Sequence, residues 1–357
     1  MKRHKLVGED VELVLKENVL AVLSSKTLSI MSSAIHNGGC KKTNTIINTQ
    51  VTDDYGDQRL HDDPELFIIE SSKKLGSFDD FVGMVTYASV KDFSLVSKID
   101  GDLAVSVIAT AGCTHAESSG EEIETREILG TINIIVIIDG NPTKSCLAGT
   151  LITATEAKTA ALRDLDLRSR YSGDEATGTI TDALVAAKTG RGLSIVYGGP
   201  ASKLGKLVGF CTRKAVKDAT TTAKVGGFSP SRSIIKRLTE RHLSMERLAV
   251  ETSKIKGISI DHLQLEKLLK SKPIFATFLL AAAKLDDDIK KGLMPKEFGN
   301  VNLLSSQFSE MFVASNITKV AKIINQIDEV NLPPFTKHVL IRFLMNNNSN
   351  EKNENLK

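Results

Sequence analysis

Apolar and polar positions change rhythm once along this chain. Up to about residue 140, short runs rich in Val, Ile and Thr alternate with Gly, Asn and Asp. They are VELVL from Val11, NVLAVLSS from Asn18, LSIMSSAI from Leu28, NTIINTQV from Asn44, FVGMVTYASV from Phe81, LAVSVIATAG from Leu103 and TINIIVIIDG from Thr131. Such runs bounded by turn residues predict strands, and Asn37-Gly38-Gly39 between two of them predicts a tight turn. One early helix is expected through PELFIIESSKKLG, with Pro64 in its first turn and Gly76 closing it.

From Lys144 the spacing becomes helical. SCLAGTLITATEAKTAALRDL predicts one helix, TDALVAAKTG a second ending at Gly190, LSIVYGG a strand, and LGKLVGFCTRKAVKDAT a further helix. Strands gathered first and helices later predict an α+β domain, a layered mixed β-sheet with helices, rather than a strictly alternating fold. VGGFSPS (Val225–Ser231) reads as a linker. Beyond it SIIKRLTERHLSMERLAVETSKI, DHLQLEKLLKSK, PIFATFLLAAAKLDDDIKKG, ITKVAKIINQI and FTKHVLIRFL all read as helix. The expected organisation is a catalytic domain over 1–228, an all-helical C-terminal domain over 229–345, and a disordered Asn-rich tail over 346–357.

Composition narrows the class. With 357 residues, 41% hydrophobic and 25% charged, the chain can bury real cores and is expected to hold two domains. A net charge of +3 gives no reason to invoke nucleic acid, and the basic tilt of the helical part reads as a solvated face. Cys40, Cys113, Cys146 and Cys211 form no CxxC pair, which argues against a zinc site and fits free thiols in a reducing cytoplasm. MKRHKLVGEDVELVL has no apolar core of a signal peptide. INIIVII and IFATFLLAAA are too short to cross a bilayer, so a cytoplasmic protein without membrane contact is expected. No GxGxxG or GxxxxGK[ST] is present, which speaks against a dinucleotide or P-loop site.

Several polar clusters call for explanation. In ATGTITDA (Ala176–Ala183), Thr179 and Asp182 have the spacing of a capping box, as do Thr153 and Glu156. A cap does not account for Thr177, Gly178 and Thr181, which with their backbone N–H groups suit an anion or a crowded polar ligand at a helix N-terminus. Ser32 and Ser33 run from a strand end into Asn37, Gly38 and Gly39, as in a hairpin turn or a hydroxyl-lined site. Asn48 and Asn133 lie within apolar runs, where a buried amide must find partners. His36 and His115 have the chemistry of acid–base groups but no metal-ligand spacing.

Taken in order, SSAIHNGG, IIN, TAG at Thr110–Gly112, GTINI at Gly130–Ile134, TATEAKTAAL at Thr153–Leu162 and ATGTITDA resemble the adenosylcobinamide amidohydrolase (CbiZ) family over about residues 15–222. One departure stands after TAG, where the family pattern leads us to expect an asparagine and this chain reads CTHAES. The resemblance implies hydrolysis of the amide that joins the aminopropanol arm of adenosylcobinamide, or its phosphate, to the corrin ring. The product would be adenosylcobyric acid, in corrinoid salvage for coenzyme B12 synthesis. The corrinoid would be substrate rather than cofactor, and no metal is assigned. Amide hydrolysis needs a water activator or nucleophile, a proton for the leaving amine and oxyanion donors. The expected activator is Asp182 or Glu156, with N–H groups near Gly38-Gly39 or Thr177-Gly178 as oxyanion donors. Ser33 or Ser32 as covalent nucleophile is the second option, since no G-x-S-x-G elbow is present. Ser32, Asn37, Gly38, Gly39, Asn48, Asn133, Thr177, Gly178 and Thr181 are the expected substrate contacts. A non-catalytic corrinoid sensor with the helical domain as output is the competing class. Partners beyond the corrinoid are not implied, and homo-oligomerisation stays open.

Overall fold

The computed structural model describes residues 2–51, 60, 62–76, 80–122, 130–223, 233–294, 300–310, 324–327 and 329–354. The expected linker Val225–Ser231 and most of ITKVAKIINQI therefore lie outside the described residues. Two compact units are present: Met1–Tyr171 with Glu175–Pro230, and Ser231–Lys357 with Ser172–Asp174.

The first unit is built on the strands β1 (Lys2–Lys5), β2 (Val11–Lys16), β3 (Val19–Ser32), β4 (Gly39–Gln50), β5 (Val82–Thr86), β6 (Ser94–Asp100), β7 (Leu103–Gly112), β8 (Ala116–Glu117), β9 (Thr131–Asp139), β10 (Asn141–Pro142), β11 (Gly178–Thr179), β12 (Ala183–Lys188) and β13 (Ser194–Ile195). Its helices are α1 (Pro64–Ser72), α2 (Lys144–Asp164) and α3 (Lys203–Thr222). The main sheet runs β1-β2-β3-β12-β9-β7-β6, with β4 and β5 continuing from β3. It is mixed: β12–β9 and β4–β5 are parallel, and the other pairs are antiparallel.

The sheet curls because β3 is long and irregular. Its register against β4 shifts between Leu23 and Leu28, a bulge that increases local twist and bend. Alternate residues of β9 then enter two different cores. Ile132, Ile134, Val136 and Ile138 face α2 and α3, whereas Ile135 and Ile137 pack with Leu20, Ile46 and Met84 from the returning strands. A strand covered on both faces reads as an unbroken apolar run, and INIIVII is one.

The same physics corrects one expected helix. TDALVAAKTG forms β12, because Ala183 to Ala187 are all buried between β3 and β9. Ala, Leu and Lys favour helix locally, but a six-residue segment is too short to hold a helix without packing, and two strand neighbours outweigh the preference. The expected strand LSIVYGG also contracts, to Ser194–Ile195.

The second unit is helical: α4 (Ile234–Thr239), α5 (Met245–Thr252), α6 (His262–Ser271), α7 (Pro273–Lys290), α8 (Val301–Glu310), α9 (Ile324–Ile327) and α10 (Pro334–Glu354). Its core gathers Leu248, Leu265, Leu279, Phe335 and Leu340. Asp286 of α7 accepts the Phe335 and Thr336 N–H groups, 2.8 Å each, and so caps α10 from a neighbouring helix. From that packed start α10 runs to Glu354. Once the apolar turns pay for nucleation, each added polar residue costs little. Among the described residues no helix is long and apolar enough to cross a membrane.

Candidate active site

Four neighbouring strands bring polar residues to one end of the sheet. The registers pair Ala183 with Asn133, Asn133 with Thr110, and Val185 with Ser32. β12 is preceded by the GTITD turn, so Asp182 stands at the mouth of a strand rather than of a helix. The T-x-x-D contact forms nonetheless: Thr179 Oγ1 donates to Asp182 Oδ1, and Thr179 N–H to Oδ2 at 3.2 Å. Ile132 N–H donates to Oδ1 at 2.9 Å, and Lys158 Nζ forms a short ion pair with Oδ2. The side chains of Lys158 and Asp182 are only 12% and 15% exposed.

Gly178 explains itself here. A Cβ at this position would lie 2.5 Å from Asp182 Oδ2 and 2.7 Å from Lys158 Nζ, so any side chain would displace the ion pair. Gly178→Ala is expected to lower unfolding stability by about 1–3 kcal/mol, as overpacking does, measured by the urea midpoint. A midpoint equal to that of the unaltered chain would show that the pair is not held over this glycine.

Lys158 was not among the expected site residues. It lies on the half-buried face of α2, whereas Glu156 points to solvent in mid-helix, so the capping option for Thr153 and Glu156 is removed. The 200° between i and i+2 on a helix separates them, and only Lys158 meets Asp182. Glu117 was also missed. β8 pairs with β11 so that Glu117 stands opposite Gly178. Burial, then the negative charges of Asp182 and Glu121, push its carboxyl above the usual range against the pull of Lys158. No local pattern around Glu117 marks it, because the two-residue pairing that positions it is tertiary.

The other expected site residues are largely committed to the protein. Thr177 N–H donates to Glu117 O at 2.8 Å, and its hydroxyl accepts Ser119 N–H at 2.9 Å. With β12 rather than a helix following it, the expected cradle at a helix N-terminus is not formed. Thr181 Oγ1 meets Thr131 Oγ1 at 2.7 Å. Asn48 and Asn133 are buried in one relay: Asn133 Nδ2 donates to Asn48 Oδ1 and to Val85 O at 2.8 Å each, Asn48 Nδ2 donates to Thr110 Oγ1 at 3.0 Å, and Ala183 N–H donates to Asn133 Oδ1 at 3.2 Å. The relay ties β4, β5, β7, β9 and β12 together beneath Asp182.

The Ser32–Gly39 turn lies beside β12. Ser33 Oγ accepts Leu184 N–H at 3.0 Å, while the Ser32 hydroxyl is buried without a partner. Among the described residues no base is hydrogen-bonded to either serine. Asn37 adopts a left-handed φ of 54° and donates to Phe81 O at 2.9 Å. It also donates to His36 Nε2 at 2.9 Å, which leaves the proton on Nδ1 for Glu65 Oε1 at 2.7 Å. Gly38 is pressed against the Ala34 carbonyl, 2.2 Å from where a Cβ would stand. Gly39 is exposed. All four cysteines are free thiols, and burial pushes Cys113 up to about 12, too high to serve as a thiolate nucleophile at neutral pH. Among the described residues no group of His, Cys, Asp and Glu could hold a metal ion.

Comparison with known proteins gives three findings. The family model described as adenosylcobinamide amidohydrolase (CbiZ) matches residues 4–225. The chain is 30% identical over 161 residues to the uncharacterized protein MJ1613 of Methanocaldococcus jannaschii, covering 40% of this chain and 63% of that one, which is less than two thirds of its length. It is 28% identical over 190 residues to the adenosylcobinamide amidohydrolase of Methanosarcina mazei, covering 51% of this chain and 84% of that one. Among solved structures, the PH0078 protein of Pyrococcus horikoshii OT3 aligns over 60% of this chain and 83% of its own at 11% identity, with a TM-score of 0.30, a superposition too loose to argue from.

Proposed function

Because the chain belongs to the adenosylcobinamide amidohydrolase (CbiZ) family, a family named for hydrolysis, we propose that it hydrolyses the aminopropanol amide of adenosylcobinamide, or of its phosphate, to adenosylcobyric acid. The observation that carries the reading is the Lys158–Asp182 pair seated over Gly178 at the polar end of the sheet. Amide hydrolysis passes through a tetrahedral intermediate whose oxygen bears negative charge. A fixed cation with N–H groups to spare, in surroundings poor in water, stabilises that charge without reorganising. Lys158 has three N–H donors, and Asp182 holds it in one orientation. Each oxygen of Asp182 already receives two donors, so we assign Asp182 to positioning Lys158 rather than to activating water. The Ser33–Gly39 turn and the half-buried Glu117 border the same strand ends and are the surfaces we assign to the corrinoid.

The test is direct. Incubation with adenosylcobinamide should yield adenosylcobyric acid and free aminopropanol by mass spectrometry. Tight binding of adenosylcobinamide with no product would sink the enzymatic reading and favour a corrinoid sensor.

A further inference from the structure

The reaction needs one group that the Lys158–Asp182 pair does not supply. Lys158 as a cation has only hydrogens to offer. A carboxylate has about four acceptor sites, and on Asp182 they are taken by Ile132 N–H, Thr179 N–H, Thr179 Oγ1–H and Lys158. Water must nevertheless lose a proton as it adds to the amide carbon, and the amine must gain one as it leaves.

Glu117 stands where such a group is required. In the antiparallel β8–β11 ladder it is directly opposite Gly178. Directly opposed residues of an antiparallel pair project their Cβ atoms to the same face, about 4.5–5.5 Å apart. The face on which a Gly178 Cβ would project is the one that meets Asp182 Oδ2 and Lys158 Nζ. The Glu117 side chain therefore leaves the ladder toward the ion pair. It is half-buried, and among the described residues no hydrogen bond holds its carboxylate, so its acceptor sites are open.

We propose that Glu117 is the proton shuttle of this site, a catalytic base that becomes the catalytic acid within one turnover. This rests on the amidohydrolase reading above. As water adds, its oxygen forms the bond to the amide carbon and one O–H bond breaks, the proton passing to the Glu117 carboxylate. The carbonyl electron pair moves to the oxygen, beside Lys158. When the C–N bond breaks, its electron pair goes to nitrogen and the proton on Glu117 passes to it. A carboxylic acid and an amine are released, and Glu117 is again a carboxylate. The charged groups acting on Glu117 are Asp182 before β12, Glu121 in the loop after β8, and Lys158 on α2. Burial and the two carboxylates make it a stronger base than a free glutamate, which suits a group that must take a proton from water and then release it.

The experiment measures kcat and KM for adenosylcobinamide against pH in the full chain and in Glu117→Gln, Glu117→Asp and Lys158→Met. The expected result for Glu117→Gln is a kcat lowered by roughly 10²–10⁴-fold with KM and melting temperature little changed. In the unaltered chain kcat should fall as acid protonates Glu117, at a pH above the usual glutamate value, and that limb should be absent from the residual activity of Glu117→Gln. Glu117→Asp, which keeps the carboxylate, should retain measurable turnover and the limb. Glu117→Gln with a kcat within about threefold of the unaltered chain, while Lys158→Met is inactive, would overturn this inference and leave the amidohydrolase reading standing. An unaltered chain that forms no product would overturn both.

Discussion

Lys158→Met should reduce product formation by about 10²–10³-fold, the loss expected when one fixed donor to a developing oxyanion is removed. It should also destabilise the first unit. The Asp182 carboxylate would keep its place among the Thr179 and Ile132 donors but lose the cation beside it. Removing one partner of a buried pair costs about 3–5 kcal/mol, and the slight exposure of this pair, 12% and 15%, places the expectation at the lower end. Initial rates measured well below the melting temperature separate the two effects. Glu156→Gln is the matched control: an exposed mid-helix change should stay within about 0.5 kcal/mol and leave turnover near normal. If Glu156→Gln were inactive and Lys158→Met active, the site would have to be rebuilt around the outer face of α2.

The largest loss of stability is expected from Asn133→Ala. This side chain donates to Asn48 Oδ1 and Val85 O and accepts the Ala183 N–H, all three partners buried or strand-bound in the core. Each polar group left without a partner costs about 1–3 kcal/mol, so a loss of roughly 3–5 kcal/mol is expected, read as a lower urea midpoint with an unchanged slope. Thr181→Ala, which releases only the partly buried hydroxyl pair with Thr131, should cost about 1 kcal/mol. Equal effects of the two substitutions would show that the amide relay is not what joins β4 and β5 to β9.

The periodicity of the chain was a good guide wherever the local pattern and the tertiary environment agree. INIIVII could be read as a strand because it is buried on both faces, and TATEAKTAAL as a helix because its Ala and Leu positions return on one side. The helical spacing that continues past Ile234 announced a helical unit for the same reason. The ordered motifs also carried the family, since GTINI and ATGTITDA are the segments that hold Asn133, Gly178 and Asp182.

What the residues alone determined is which chemical groups are present and that Asp182 would find Thr179, a contact three residues apart that forms in a turn as readily as at a helix end. What they left open is the element that follows. DALVAAK is a helix former by propensity, and it becomes β12 because β3 and β9 offer it two hydrogen-bonded edges. The site itself is a tertiary product in the same way. Lys158 reaches Asp182 across 24 residues, and Glu117 faces Gly178 across 61, through pairings that no window of the sequence contains. Local sequence sets backbone preference within a few residues. The partner of a buried charge is chosen by whichever distant group the packed sheet brings within reach, because in the interior an unpaired charge is too costly to leave.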